Sequence, residues 1–297
     1  MNINYKVCLI VLNYVSFEDT ITYVKEVLRQ EGVDLHVLVV DNKSPNESYA
    51  ELSNEFTDNP RVRTIESKYN GGYAYGNNYG LKYIVDEEFE YIVISNNDLN
   101  IENPKLLIKL INKYEVLQSP AFIAPITVNN GVEAKSSAWK MPALRDDLVD
   151  SLRVLKVFFK NRIQYDFIDD KTYKVDCLPG SFFLAKKSVF YDIGLFDEKT
   201  FLYCEERILA WKAKELGLSN YLVRSFKIEH FVSKTISSQL SMLKMMSYLT
   251  DSRVYFHRQY LKSNVLGILL LQALSKLRIV ESLLYDIVRG AFVKKDL

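Results

Sequence analysis

The sequence predicts an α/β protein with a mainly parallel central sheet, and three observations carry that expectation. Short, continuous apolar runs recur in the N-terminal third of the chain, at Lys6–Leu12, Leu35–Val40 and Glu90–Ser95. The text between them has helical rather than alternating spacing, as β-α-β units require. Each run also stops on polar residues, at Asn13, Asp41 and Asn96-Asn97-Asp98. In a parallel sheet the ligand lies beyond the carboxyl ends of the strands, so these three ends mark a candidate site.

Taken in order, Lys6–Leu12 reads as a strand buried on both faces, because its apolar residues are consecutive. Phe17–Gln30 follows as a helix with Ile21, Val24, Val27 and Leu28 on one side. Leu35–Val40 is a second strand, closed by the turn-forming residues Asp41–Pro45. Asn46–Phe56 reads as a second helix, Val62–Ile65 as a short third strand, and Gly71-Gly72 open a helix over Tyr73–Val85. Farther on, Gly180-Ser181 precede an apolar strand, Phe182–Ala185, that runs into a helix from Lys186. Phe201–Leu216 reads as a helix with the acidic pair Glu205-Glu206 near its start. From about residue 240 the pattern is different. Leu266, Leu269, Leu270, Ala273, Leu274 and Leu277 recur at helical spacing, and Val280, Leu284, Ile287, Val288 and Ala291 continue the series. Residues 257–297 carry seven Lys or Arg against three Asp or Glu, a net charge of +4. Such a basic amphipathic tail either lies on an anionic membrane surface or packs on the main domain or a second subunit. Both readings stay open at this point.

Composition narrows the function. With 297 residues and 48% hydrophobic content, the chain is long enough to bury a full core. Its 38 basic and 37 acidic residues leave a net charge of +1, which gives no footprint for nucleic acid as a partner. Cys8, Cys177 and Cys204 are scattered and odd in number, which argues against a disulfide framework or a cysteine-ligated zinc. No signal peptide is recognisable, and no stretch reaches the roughly 18 apolar residues of a membrane span. A cytoplasmic protein is expected.

Four features could carry chemistry. Asn96-Asn97-Asp98 ends a buried strand, where a carboxylate beside short amides suits a hard divalent cation shared with a ligand's phosphates; a plain turn is the alternative. Asn70–Asn78 places glycines and amides at a helix mouth, where free N–H groups favour an anion or a polar ligand. It has neither GxGxxG nor the GK[ST] of a P-loop, so no dinucleotide site or ATPase is indicated. Glu205-Glu206 follow Phe201-Leu202-Tyr203, and a carboxylate at an apolar edge can serve as a general base; a solvated first helical turn is the plainer reading. His230 is a candidate metal ligand, while His36 and His257 receive no role.

The order of these pieces resembles the family 2 glycosyltransferases. Asn13 and Val39–Ser44 are followed by Asn70–Asn78, Asn96-Asn97-Asp98, Gly180–Phe183, Gly194–Glu198, Phe201–Glu206 and His230. The likeness is greatest to the rhamnosyltransferase-like branch of bacterial surface-polysaccharide synthesis and covers about residues 5–235. It implies a GT-A fold with a nucleotide-binding half, about 1–100, an acceptor half, about 101–235, and a helical extension over 236–297. By the same likeness Asn13, Asp41, Asn70, Gly72, Gly76, Asn77 and Asn97 bind a nucleotide sugar, and Gly180 and Ser181 face the acceptor. Asp98 and His230 would hold Mn²⁺ or Mg²⁺, and Glu206, with Glu205 beside it, would be the base. The implied reaction is inverting transfer of rhamnose or a hexose from a dTDP- or UDP-sugar to a glycan, in many cases lipid-linked. Two positions depart from the family pattern. Ile208-Leu209 and Lys212 stand where an Asp-Leu pair and an Arg are usual, and Asn96 stands where an Asp is common. Ile208 supports the rival reading, a degenerate transferase acting as a scaffold in a polysaccharide assembly complex. A nucleotidyltransferase is disfavoured, because no N-terminal glycine-rich loop with Arg and Lys is present.

Overall fold

In the computed structural model, residues 5–151, 164–165, 169–230 and 241–293 are described, without the side chains of 282–293. The expected parallel units form one after another: β1 (Lys6–Asn13), α1 (Phe17–Val27), β2 (Asp34–Asp41), α2 (Ser48–Phe56), β3 (Val62–Glu66), α3 (Gly72–Tyr83) and β4 (Tyr91–Ser95). β1 pairs in parallel with both β2 and β4, and β2 with β3. Ile10, Val39 and Ile94 are fully buried, as consecutive apolar residues in a sheet covered on both faces should be.

The second half completes a ten-stranded sheet with β5 (Leu99–Asn100), β6 (Pro120–Asn129), β7 (Val132–Glu133), β8 (Thr172–Val175), β9 (Phe182–Lys186) and β10 (Ser219–His230). The main path runs β3-β2-β1-β4-β9-β6-β10-β5. The order reverses direction at β1 and β4, the position where such sheets open a crevice. Parallel pairing dominates the first half. In the second half β9 runs antiparallel to β4, and β10 antiparallel to β5 and β8, with only β6 and β10 parallel. The helices there are α4 (Leu106–Glu115), α5 (Leu144–Asp150), α6 (Lys187–Asp192) and α7 (Glu205–Glu215).

One predicted element starts in a different place. The helix expected from Phe201 begins at Glu205, because Tyr203 and Cys204 take left-handed backbone angles, φ 74° and 68°. Phe201–Cys204 is therefore a turn that delivers the acidic pair at the helix mouth. Strands β6 and β10 have no counterpart among the predicted elements. β10 carries polar residues in its middle, and its register against β6 slips between Val223 and Lys227, a bulge next to Pro125.

The C-terminal extension forms α8 (Met242–Gln259) and α9 (Val265–Val293). Ile268 and Leu271 of α9 pack with Val254 of α8 and Leu144 and Leu148 of α5, so one face of the tail packs on protein. Val265, Leu266, Leu269, Leu270, Leu277 and Val280 face outward. The expected boundary near residue 235 and the side chains of Leu284, Ile287, Val288 and Ala291 lie outside the described residues. No helix among the described residues is long and apolar enough to cross a membrane.

Candidate active site

The parallel register sets Asn13 directly beside Asp41 at the ends of β1 and β2. Both are fully buried, and Asn13 Nδ2 donates to Asp41 Oδ2 at 2.7 Å. Ser44 closes the turn by donating to the same carboxylate from its hydroxyl at 2.7 Å and its backbone N–H at 2.8 Å. Thr20 donates to Asn13 Oδ1 at 2.7 Å, and Asn97 Nδ2 donates to Thr20 at 2.8 Å and to the Ser16 hydroxyl at 3.0 Å. Asn13, Asp41 and Asn97 thus form one connected floor, although they lie on three different segments.

Asn70 holds the second wall. Its side-chain oxygen accepts from Asn42 Nδ2 and from the Gly72 N–H, both at 3.1 Å. Gly72 has φ +85°, and a Cβ there would lie 2.0 Å from the Phe201 carbonyl oxygen, so only glycine fits. Gly72→Ala is expected to cost about 1–3 kcal/mol from backbone strain alone. A lower urea midpoint with an unchanged slope would show it, and an unchanged midpoint would contradict the close approach. Gly76 serves packing: its Cβ would meet Leu12 Cδ1 at 2.4 Å, which lets α3 sit close on β1. Asn77 donates to the Tyr73 carbonyl at 3.0 Å, and its buried Oδ1 has no partner among the described residues.

Asp98 and His230 are far apart in sequence but adjacent in space. β5 and β10 pair antiparallel with His230 opposite Leu99, which sets His230 Nε2 3.3 Å from Asp98 Oδ2. The hydrogen bond to Asp98 raises the His230 pKa above its ordinary 6.5. Asp98 Oδ1 is buried without a partner among the described residues. An orphaned carboxylate oxygen beside an imidazole nitrogen is a donor set that suits Mn²⁺ or Mg²⁺. No group of three or more His, Cys, Asp or Glu residues that could hold a metal occurs among the described residues. A cation here would need a ligand's oxygens as well, as is usual for Mg²⁺ on phosphates.

Glu205 and Glu206 open α7 next to Gly180. Gly180 N–H donates to Glu206 Oε1 at 3.3 Å, and Tyr73 OH donates to the Gly180 carbonyl. Glu205 is buried, and its Oε1 has no partner among the described residues. Burial pushes both carboxyls up, and the charge of Glu206 pushes Glu205 further. The Gly180 N–H and the Arg207 guanidinium oppose the shift at Glu206 alone. Ser181 belongs to the same wall, accepting the Asn96 N–H at its carbonyl at 2.8 Å.

Both departures at α7 have a structural account. Ile208 is fully buried against Cys204 and Phe256, where α8 seals the back of the helix, and a carboxylate would be stranded there. Lys212 donates to the carbonyls of Leu195 at 2.8 Å and Gly194 at 3.3 Å, holding the turn before Phe196. Asn78, for which no role was expected, fixes the same turn by exchanging hydrogen bonds with Phe196, both at 3.0 Å.

A buried ionic cluster behind Glu206 was not anticipated. Asp147 of α5 accepts from Arg207 at 2.7 and 3.3 Å, lies 2.8 Å from His257 Nε2 and pairs with Arg253 at 3.2 Å. Arg253 also reaches Asp150 at 2.6 Å. His257 thus shares one carboxylate with Arg207 of α7. The four-residue spacing of Arg253 and His257 on α8 is the one signal that could have pointed to it.

Comparison with known proteins identifies the family and the fold. The profile described as glycosyl transferase family 2 matches residues 7–194. The chain is 27% identical over 215 residues to the low-salt glycan biosynthesis hexosyltransferase Agl10 of Haloferax volcanii, covering 71% of this chain and 62% of that protein. It is 26% identical over 203 residues to rhamnosyltransferase WbbL of Escherichia coli K12, covering 64% and 74%. The chain thus spans less than two thirds of the Agl10 length. Among solved structures, the mannosyltransferase PcManGT of Pyrobaculum calidifontis, in complex with GDP-Man and Mn²⁺, superposes with a TM-score of 0.59 at 12% identity. That match covers 99% of this chain and 79% of the other. GalNAc-T7 with UDP, GalNAc and Mn²⁺ gives 0.61 at 13% identity, over 96% and 58%. These likenesses establish a GT-A type fold, with parallel pairing in its first half. With its profile matching more than half the chain, the protein belongs to glycosyl transferase family 2.

Proposed function

We propose that the protein is an inverting, metal-dependent glycosyltransferase. It moves rhamnose or a hexose from a dTDP- or UDP-sugar to a growing cell-surface glycan carried on a lipid. The observation that carries this reading is a pair of partly buried acidic groups, Asp98 with His230 and Glu206 on the Gly180 N–H, whose segments are joined where the Asn96 N–H donates to the Ser181 carbonyl. The names of the relatives, a glycan hexosyltransferase and a rhamnosyltransferase, support the substrate class. The outward apolar face of α9 supports peripheral attachment, to a membrane surface or to a second copy.

In this reaction the acceptor hydroxyl oxygen forms a bond to the anomeric carbon while the bond from that carbon to the diphosphate oxygen breaks. A single displacement inverts the centre and needs no enzyme nucleophile. Glu206 takes the hydroxyl proton as the bond forms. Asp98 and His230 would hold Mn²⁺ or Mg²⁺, whose positive charge stabilises the departing nucleoside diphosphate. The floor of Asn13, Asp41 and Asn97, with the Asn70–Gly72 turn, orients the nucleoside. Asp98→Ala should weaken donor binding chiefly in the presence of Mn²⁺, as titration calorimetry with and without chelator would show. An equal loss under chelation would remove Asp98 from the metal site.

A further inference from the structure

We infer that a groove on the outer side of α3 is a second binding site, for a neutral stretch of glycan remote from the reacting hydroxyl; the choice of a glycan rests on the transferase reading. The groove encloses about 680 Å³, within the range of pockets that hold organic ligands, and is lined in part by Tyr69, Tyr75, Lys82, Asp197, Glu198 and Lys199. It is separate from the reaction centre. Tyr73 and Tyr75 are two residues apart on α3, roughly 200° around the helix. Tyr73 faces Gly180 and Glu206, so Tyr75 faces away from them.

The lining has two kinds of surface that a sugar chain needs. Tyr69 and Tyr75 stack with ring centroids 4.3 Å apart and planes at 23°, and Tyr69 stays 56% exposed. One flat aromatic face is therefore open to the C–H face of a pyranose ring, with a phenolic edge for its hydroxyls. Beside it, Lys82 and Asn78 both donate to Glu198 Oε1 at 2.8 Å, which orients that carboxylate. Glu198 Oε2 takes no hydrogen bond among the described residues and is an acceptor for hydroxyl groups. Lys199 is exposed and its ammonium has no carboxylate partner among the described residues, which leaves three donors.

Charge selects the ligand class. Lys82, Lys199 and Lys212 against Asp197 and Glu198 leave the groove with a net charge of +1. Three cations diluted by two carboxylates make a poor phosphate site and a suitable one for neutral polyols. Gly71 lies in the same lining and adjoins Gly72, so the groove starts at the outer side of the loop that walls the crevice. A glycan held there would run toward the reaction centre.

The test uses fluorescently labelled full-length protein on an array of neutral oligosaccharides built from rhamnose, glucose, galactose and N-acetylhexosamine. Wild type is expected to be retained on at least one chain type, and Tyr69→Ala with Lys199→Ala to lose retention on the order of tenfold. Both substituted side chains are exposed, and an unaltered unfolding midpoint confirms the fold. The rise of that midpoint with nucleotide sugar and Mn²⁺ is expected to be equal in both proteins. Absence of wild-type retention, or equal retention by the variant, would overturn the groove. Loss of the nucleotide-sugar response in the variant would also overturn it, by assigning these residues to the donor site. A wild type that binds glycan yet never responds to nucleotide sugars would sink the transferase reading and leave the groove standing.

Discussion

Glu206→Gln is expected to lower the rate of sugar transfer by about 10²–10⁴-fold while leaving donor affinity nearly unchanged. The substitution keeps the shape of the side chain and its bond from the Gly180 N–H, but removes the site that accepts the acceptor's proton. Because burial raises the Glu206 carboxyl above its ordinary 4.5, its ionised form is lost at higher pH than in a solvated glutamate. Wild-type turnover should therefore rise through an acid limb lying above pH 4.5, and the variant should lack that limb. Steady-state rates across pH at saturating donor read both effects. A variant that loses donor binding instead would place Glu206 in the donor site rather than at the acceptor.

Asp147→Ala is expected to cost about 3–5 kcal/mol of stability. It removes the one carboxylate shared by Arg207, Arg253 and His257; Arg253 keeps Asp150, but the guanidinium of Arg207 is left without a carboxylate among the described residues. Domains are typically stable by about 5–15 kcal/mol, so the variant would be marginal. The neighbouring guanidinium groups hold the Asp147 carboxyl far below its ordinary 3.8. A depressed folded-state value contributes stability that is complete above pH 3.8 and fades as pH falls below it. Urea midpoints at neutral pH and at pH 3 would show this as a difference between wild type and variant that narrows in acid. Should the alanine variant fail to fold, Asp147→Asn, which keeps the volume, is expected to show the same narrowing. A pH-independent difference would mean that packing, not charge, is what Asp147 supplies.

How much of this was legible in the sequence follows from how locally each feature is encoded. β1, β2 and β4 are read without difficulty, since a strand buried on both faces is written as consecutive apolar residues, as in Val7–Val11. β10 is not, because Arg224, Ser225 and Phe226 bulge out of register and interrupt the pattern. The start of α7 was misplaced for a similar reason. Left-handed angles at Tyr203 and Cys204 are a consequence of tertiary closure over Gly72, and neither residue type announces them.

The site divides along the same line. Asn13, Asp41 and Asp98 are visible because strand ends in a parallel sheet are where ligands bind. That Asp98 meets His230 depends on the antiparallel pairing of β5 with β10, which only the family likeness implied. Asp147, Arg207, Arg253 and His257 come from three helices, each with ordinary surface-type residues, and apart from the four-residue spacing of Arg253 and His257 nothing in the sequence marks them as one buried cluster. Ile208, the residue that supports the degenerate reading, packs α7 against Phe256, a contact that its position in the sequence does not announce.

The most direct test of the transferase reading is the unfolding midpoint of the purified protein against dTDP-, UDP- and GDP-sugars, each with Mn²⁺ or with chelator. A ligand that binds only the folded state stabilises it by about 2.7 kcal/mol at a hundredfold excess over its dissociation constant. The expected result is a rise with a dTDP- or UDP-sugar that requires Mn²⁺ and disappears in Asp98→Ala. A midpoint that no nucleotide sugar moves, with or without metal, would contradict a donor site in this crevice.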